Sequence, residues 1–198
     1  EKQFTLHSIV DERSAGFYAL GISLSTNQSV VLLCTSGTAV LNYSPALAEA
    51  FYQHIPLIAI TADRPEEAID QQDNQTIHQK NVYQNFIKKS LNLSIPLKSA
   101  EEIVEMHLAI SNIIDESLSG IKGPVHINVP ITEPLYTEIP PHSAITLSEV
   151  PEAGKSLVPK NLLAEWQNAK RRLILCGQNP MDIELVEAVN KLDRKSTR

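Results

Sequence analysis

The sequence has few cysteines, no long apolar run and no excess of basic residues, and each shortage excludes a class of protein. Only two cysteines occur among 198 residues, far apart at Cys34 and Cys176, which excludes a fold that depends on several disulfide bonds. No apolar run approaches the ~18 residues that a membrane span needs, and no charged-then-apolar leader opens the chain. With a formal net charge of −6 and scattered Lys and Arg, the chain lacks the basic surface that nucleic acid requires. We expect a soluble, cytoplasmic protein with two buried, reduced thiols.

The residues that are present indicate an α/β fold. Hydrophobic residues make up 42% of the chain and charged residues 20%, as in ordinary globular proteins. Apolar strand-like runs alternate with helical patterns, which predicts a doubly wound, mainly parallel sheet with helices on both faces. The predicted strands are 4–10, 29–34, 56–61 and 123–130, and the predicted helices are 12–24, 38–52 and 99–120. Ser99 and Glu102 have the spacing of a capping box at the start of the last helix.

The rest of the chain is divided by composition. Residues 63–90 are polar and rich in amides, with an apolar turn near 82–87, and loops of this length are usually functional. Residues 137–158 are rich in Pro, Ser and Thr and predict a linker. After the linker, a helix, a strand at 171–176 and a further helix predict the beginning of a second domain. The chain begins at Glu1 and ends at Arg198, and we expect it to be part of a longer polypeptide.

Polar clusters follow three of the predicted strands, where open α/β sheets bind ligands. Asp11-Glu12-Arg13 opens a helix, and Thr35-Ser36-Gly37-Thr38 and Thr61-Ala62-Asp63-Arg64-Pro65 occupy the corresponding turns. Glu12 could act as a catalytic carboxylate, and the planar guanidinium of Arg64 could bind a substrate carboxylate. Simpler interpretations exist for each cluster: Asp11 caps the helix, the second turn is an ordinary capped turn, and Asp63 caps beside a surface Arg64. The coincidence of three clusters favours one crevice.

Other signals predict no site. Gly154-Lys155-Ser156 resembles the end of a phosphate-binding loop, but the position of the required upstream glycine is Glu149. The six histidines lack metal-ligand spacing, and His126 on its apolar strand is interpreted as a hydrogen-bonded core or interface residue. We therefore predict no metal ligands in this chain.

Taken together, several motifs resemble those of one enzyme family. They are Val10-Asp11-Glu12-Arg13-Ser14-Ala15-Gly16, Thr35-Ser36-Gly37-Thr38-Ala39, Thr61-Ala62-Asp63-Arg64-Pro65, Asn74-Gln75-Thr76-Ile77 and Gly123-Pro124-Val125-His126-Ile127-Asn128. Their order and spacing resemble the 2-succinyl-5-enolpyruvyl-6-hydroxy-3-cyclohexene-1-carboxylate synthases, the thiamine-diphosphate enzymes of menaquinone biosynthesis. The resemblance implies a pyrimidine-binding domain at 1–136 that lacks its first βα unit, the linker at 137–158, and the incomplete start of a central domain at 159–198.

The resemblance also implies roles for individual residues. A glutamate matching Glu12 hydrogen-bonds the aminopyrimidine of the cofactor and relays a proton, which a mostly buried carboxylate would suit. One wall of the pyrimidine pocket would be formed by Thr35, Ser36, Gly37 and Thr38. Arg64 and Gln75 would contact the substrates, 2-oxoglutarate and isochorismate, and His78 lies close to the same loop. The family's enzymes assemble as homodimers or homotetramers.

This sequence departs from the family pattern in two respects that bear on activity. The family's upstream Gly-Ser-Arg turn, which binds substrate, is missing together with the first βα unit. In the family, the diphosphate and Mg²⁺ are held by a separate domain with a Gly-Asp-Gly motif, and no such motif occurs here. We therefore expect the polypeptide alone to be inactive and to bind the cofactor poorly. Two alternatives stay open: a carboligase of the acetolactate synthase type, and a non-catalytic α/β module for ligand binding or dimerisation.

Overall fold

A four-stranded parallel sheet forms the centre of the first of two compact units. The computed structural model describes residues 4–96, 99–132, 159–177 and 181–196, and the chain divides into Glu1–Ala153 and Gly154–Arg198. The strand order is β1-β2-β4-β3, and every neighbouring pair is parallel. The strands are β1 (Val30–Cys34), β2 (Leu57–Asp63), β3 (Lys89–Asn92) and β4 (Val125–Pro130). The predicted α/β fold with a mainly parallel sheet is confirmed.

Helices cover both faces of this sheet. They are α1 (Glu12–Thr26), α2 (Thr38–Asn42), α3 (Ser44–Tyr52) and α4 (Ala100–Leu118), and a 3₁₀ turn spans Glu66–Ala68. Successive strand residues point to opposite faces, so Leu57 and Ala59 of β2 pack with the cluster beneath α1 and α3, whereas Ile58 packs with the cluster beneath α4. The near-continuous apolar sequence of these strands is explained by this two-sided burial.

Local chemistry determines where the helices begin and break. The backbone N–H of Ser14 donates to Asp11 Oδ1 (2.7 Å), and the N–H of Glu102 donates to Ser99 Oγ (3.2 Å), so both predicted N-caps are confirmed. The helix predicted over 38–52 is instead two helices that meet at Tyr43. Pro45 lies at the start of the second one, and because proline has no N–H it cannot continue the hydrogen bonding of the first.

Two predicted strands are wrong. Residues 4–10 form no strand, and Phe4, Leu6 and Val10 are largely exposed. Residues 171–176 form none either, so Cys176 is exposed rather than buried. Both segments are apolar enough for a strand, but within the described ranges neither has a strand to pair with, and a strand is stable only when its backbone groups are paired.

The segment between β2 and α4 contains a strand that the sequence did not predict. β3 has the sequence Lys89-Ser90-Leu91-Asn92, without a clear apolar alternation, and pairs with β4 at the sheet edge. Before it, the apolar turn buries Tyr83 and Ile87 in the cluster beneath α1 and α3, and the Tyr83 hydroxyl donates to the Val40 carbonyl. The predicted linker at 137–158 lies outside the described residues.

The second unit contains two described helices, α5 (Lys160–Asn168) and α6 (Ile183–Ser196). After α5, the guanidinium of Arg172 lies 5.5 Å from the centre of the Trp166 ring and donates through Nε to the Trp166 carbonyl (2.7 Å). In both units, none of the helices seen in the described ranges is long and apolar enough to cross a membrane.

Candidate functional site

A cleft of about 700 Å³ lies at the carboxyl end of β1, and it brings together most of the predicted site residues. One wall is formed by the turn after β1 and the first residue of α1. The opposite wall is a loop that runs from Gln72 to Ile77. The lining residues are Glu12, Thr35, Ser36, Gly37, Thr38, Ala39, Asn42, Gln72, Asp73, Asn74, Gln75, Thr76 and Ile77.

Glu12 reaches the cleft as the first residue of α1, directly after the Asp11 cap. The expected strand before it is absent, so the start of the helix, and not a strand end, places this carboxylate. Its side chain is partly buried rather than mostly buried, because it lines an open cleft. The interpretation of Asp11 as the cap of the helix is confirmed, and Glu12 beside it lines the cleft.

Gly37 gives the turn after β1 its shape. Its φ of 80° lies in the region that favours glycine, and a Cβ added there would lie 3.0 Å from the Cα of Gln75. The backbone N–H of Gly37 donates to Gln79 Oε1 (2.8 Å). The turn therefore lines the cleft as predicted, but its Gly37 amide already has a partner within the protein and does not face a ligand.

Gln75 and Arg64 differ in their relation to the cleft. Gln75 lines it and has a positive φ of 55° where the loop meets Gly37. Arg64 lies behind the loop, and its Nε donates to the Asn74 carbonyl at 3.4 Å. Arg64 is therefore next to the wall of the cleft rather than among its lining residues. His78 is outside the lining as well, with its Nε2 3.1 Å from the Asp70 carboxylate at the exposed surface.

Two neutral groups, Cys34 and Tyr43, lie near Glu12 but outside the lining of the cleft. Burial, with the Glu12 carboxylate as a second cause, raises the pKa of the Cys34 thiol to about 12. Burial also raises the pKa of Tyr43, whose hydroxyl donates to the Leu33 carbonyl at 2.9 Å. Both groups stay neutral at physiological pH, so Cys34 is a weak nucleophile there.

A buried polar network lies directly beneath the cleft, and sequence reasoning missed most of it. Its centre is Asn128, whose Oδ1 accepts from the Thr61 hydroxyl (2.8 Å) and whose Nδ2 donates to Asp63 Oδ2 (2.6 Å). His126 Nε2 lies 2.8 Å from Thr61 Oγ1, and burial lowers the pKa of His126 to about 4. The interpretation of His126 as a hydrogen-bonded core residue is confirmed. The signal that could have revealed the network is His126 and Asn128, two polar residues that alternate along an apolar strand.

The Asp63 carboxyl is also part of this network. Its Oδ1 accepts from the backbone N–H of Arg64 (2.8 Å), and desolvation raises its pKa. Asp63 is therefore a buried residue that holds the end of β2 and not the surface cap that was considered. Among the residues that the structure describes, no group of three or more His, Cys, Asp or Glu side chains is arranged to hold a metal ion.

Comparison with known proteins shows which sequences this chain is similar to. Residues 1–82 match the family described as "Thiamine pyrophosphate enzyme, N-terminal TPP binding domain". The chain is also similar to proteins named 2-succinyl-5-enolpyruvyl-6-hydroxy-3-cyclohexene-1-carboxylate synthase. The relative from Desulfotalea psychrophila is 45% identical over 90% of this chain and 34% of its own length. The relative from Porphyromonas gingivalis is 40% identical over 96% of this chain and 33% of its own.

A third relative, from Christiangramia forsetii, is 41% identical over 88% of this chain and 33% of its own length. The chain thus spans about a third of the length of the curated relatives it matches. The resemblance inferred from the motifs is confirmed. The first 82 residues match the N-terminal domain of the thiamine pyrophosphate enzymes. The chain is a homologue of part of the 2-succinyl-5-enolpyruvyl-6-hydroxy-3-cyclohexene-1-carboxylate synthases.

Proposed function

We propose that this chain is the pyrimidine-binding part of a longer thiamine-diphosphate carboligase that decarboxylates 2-oxoglutarate and adds the succinyl unit to isochorismate. The observation that carries the proposal is the position of Glu12 in one cleft with the Thr35–Thr38 turn and Gln75. The relatives named for the corresponding synthase support the choice of substrates. In this proposal the pyrimidine-binding domain spans residues 1–136, the linker spans 137–158, and the incomplete central domain spans 159–198.

The lining residues fit the pyrimidine end of the cofactor better than its diphosphate end. They provide one carboxylate at Glu12, a second at Asp73, and several hydroxyl and amide groups, but no Lys or Arg. An aminopyrimidine is neutral and edged with hydrogen-bonding nitrogens, so this set of groups can hold it. A diphosphate needs cations or backbone N–H groups, and the Gly37 N–H is already bonded to Gln79. The diphosphate and Mg²⁺ would therefore be held outside this chain.

In this proposal, thiamine diphosphate supplies the electron sink that decarboxylation of a 2-oxo acid requires. Glu12 holds and transfers a proton at a ring nitrogen of the pyrimidine, which is general acid–base catalysis. The wall that orients the pyrimidine ring is formed by Thr35, Ser36, Gly37 and Thr38. Gln75, on the opposite wall, contacts a substrate. For the planar fork of Arg64 to pair with a substrate carboxylate, its side chain would have to leave the Asn74 carbonyl and enter the cleft.

The assembly is proposed on the same basis. With the diphosphate held outside this chain, a complete site requires a second domain, either from the same polypeptide or from another subunit. We assign the full-length protein to a cytoplasmic homodimer or homotetramer. Sedimentation of the full-length protein with and without cofactor tests this assignment, and a monomer at full activity would contradict it.

The function is tested with the full-length protein, isochorismate and 2-oxoglutarate, with pyruvate as the competing substrate. Turnover with pyruvate alone would indicate a carboligase of the acetolactate synthase type, and no thiamine-diphosphate binding would indicate a non-catalytic module.

Glu12→Gln tests the role of the carboxylate, because it preserves the shape of the side chain and removes the group that can take up and release a proton. We expect kcat to fall by about 10²–10⁴-fold, the usual contribution of a positioned acid or base, with an unchanged circular dichroism spectrum. Asp11→Asn is the matched control, since it removes the neighbouring charge and retains an oxygen that caps α1. Equal kcat values for the two variants would contradict the role of Glu12.

A further inference from the structure

Gln79 connects the two walls of the cleft from below, although it lines neither. It follows the Gln72–Ile77 loop and is only 1% exposed. Its Oε1 accepts from the backbone N–H of Gly37 (2.8 Å), and its Nε2 donates to the Ala62 carbonyl (2.8 Å) and to Asn128 Oδ1 (3.0 Å). Only one orientation of the side-chain amide places an acceptor against the Gly37 N–H and a donor against the Ala62 carbonyl.

We propose that Gln79 is a positioning residue of the cofactor site, which fixes the Gln72–Ile77 loop against the Gly37 turn and so sets the width of the cleft. This inference rests on the proposed function. Gln79 itself touches neither cofactor nor substrate, and its effect passes through the Gly37 turn and through Gln75.

The backbone where the two walls meet shows why a positioning residue is needed. Gly37 has a φ of 80° and Gln75 a φ of 55°, and a Cβ at Gly37 would lie within 3.0–3.1 Å of Gln75 backbone atoms. A positive φ at a non-glycine residue persists only where surrounding contacts hold it. The Gly37–Gln79 hydrogen bond is a buried contact of this kind, and it lies just beyond the loop that contains Gln75.

The other end of the Gln79 side chain is anchored to the rigid sheet. The Ala62 carbonyl belongs to β2 and Asn128 to β4, and these strands pair directly, with Thr61 opposite Asn128. Asn128 is itself held by Thr61, Asp63 and Asn92. Because buried hydrogen bonds of this kind are directional and strong in a low dielectric, they tie the loop to the central strands of the sheet.

The experiment compares Gln79→Met with Asn92→Ala in the full-length protein. Methionine has a similar length but makes none of the three hydrogen bonds. Asn92→Ala removes one hydrogen bond from the opposite side of the same network (Asn128 Nδ2 to Asn92 Oδ1, 2.7 Å), away from the cleft. We expect Gln79→Met to raise the Kd for thiamine diphosphate and to lower kcat/KM by about 10–100-fold, since small misplacements are costly. Asn92→Ala should change both by less than about threefold, because Asn92 is exposed and Thr61 and Asp63 still hold Asn128 in place.

A second measurement, hydrogen exchange of the protein without cofactor, does not depend on activity. In Gln79→Met, the amides of Gly37 and of the Gln72–Ile77 loop should exchange faster, while the backbone N–H groups present in β4 keep their protection. If Gln79→Met does not fold, Gln79→Asn provides the same test, because it stays uncharged and polar but is one methylene too short to bridge the Gly37 N–H and the Ala62 carbonyl. Loop exchange like that of the wild type, or faster exchange spread equally over loop and sheet, would overturn the inference. If the wild-type protein showed no turnover with isochorismate and 2-oxoglutarate, the proposed function alone would be overturned. The difference in hydrogen exchange between the wild type and Gln79→Met would still test the inference about Gln79.

Discussion

Two glycines of α1 allow a matched test of how closely this helix packs. Gly16 is buried and Gly21 is exposed, and alanine at either position relieves the same helix penalty of about 1 kcal/mol. At Gly21 a Cβ meets nothing within 4 Å, so we expect Gly21→Ala to stabilise the protein by about 0.5–1 kcal/mol. At Gly16 a Cβ would lie 2.8 Å from Ala46 Cβ, well inside the contact distance of ~3.5–4.0 Å for two carbons.

The close contact at Gly16 should outweigh the gain in helix propensity. To relieve it, α1 must move away from α3 by about 1 Å, and overpacking of this kind costs about 1–3 kcal/mol. The two variants should therefore differ by about 1–3 kcal/mol in free energy of unfolding, with Gly16→Ala the less stable. Urea unfolding of the chain, followed by circular dichroism, measures this difference as opposite shifts of the midpoint.

A second-site variant makes the test specific. Ala46→Gly removes the atom that the new Cβ would meet, so it should rescue Gly16→Ala relative to the sum of the single changes. Equal stabilisation by Gly16→Ala and Gly21→Ala would refute the close approach of α1 and α3 in this structure.

Two further predictions concern buried groups. His126 has a pKa of about 4 in the folded protein because it is buried, against about 6.5 in the unfolded chain. The contribution of the neutral imidazole to the free energy of unfolding is therefore fully present above pH 6.5. It is lost as the pH falls toward 4, by roughly 3 kcal/mol in total. His126→Gln should flatten the pH dependence of unfolding over that range, and an unchanged slope would contradict the burial of a neutral imidazole. Lys88 Nζ donates to the Glu116 and Ser119 carbonyls at the end of α4, so Lys88→Met should lower the free energy of unfolding by about 1–2 kcal/mol. Exposed Lys89→Met is its control, and equal melting temperatures of the two variants would count against this capping role.

Local signals in the sequence were sufficient for three strands and for the helices, apart from the break between α2 and α3 at Tyr43. The Asp11 and Ser99 caps depend on residues three positions apart, so neighbouring residues decide them. The strand predictions at 4–10 and 171–176 failed for the opposite reason. Their composition favours a strand, but strand formation depends on a paired neighbour, which composition does not reveal. Strand β3 was missed because Lys89-Ser90-Leu91-Asn92 is held by its pairing with β4 rather than by its own pattern.

The predicted site residues converged because of topology more than because of local pattern. Strands β1 and β2 are parallel neighbours, so the turns that follow them lie at one edge of the sheet. Glu12 arrives at the same edge although the strand expected before it is absent. Gln79 could not have been predicted, because its partners Gly37 and Asn128 are 42 and 49 positions away in the sequence.

The buried polar network also explains why this end of the sheet, and not the other, can hold a shaped cleft. Along one face of β2 the residues change from Leu57 and Ala59 to Thr61, and on β4 the same face carries His126 and Asn128. Apolar packing is non-directional, whereas each polar group here loses about 1–3 kcal/mol if its partner moves out of reach. The network therefore allows few arrangements of the strand ends. A turn such as the one at Gly37, whose amide is bonded to that network through Gln79, takes its position from the sheet beneath it rather than from the ligand above it.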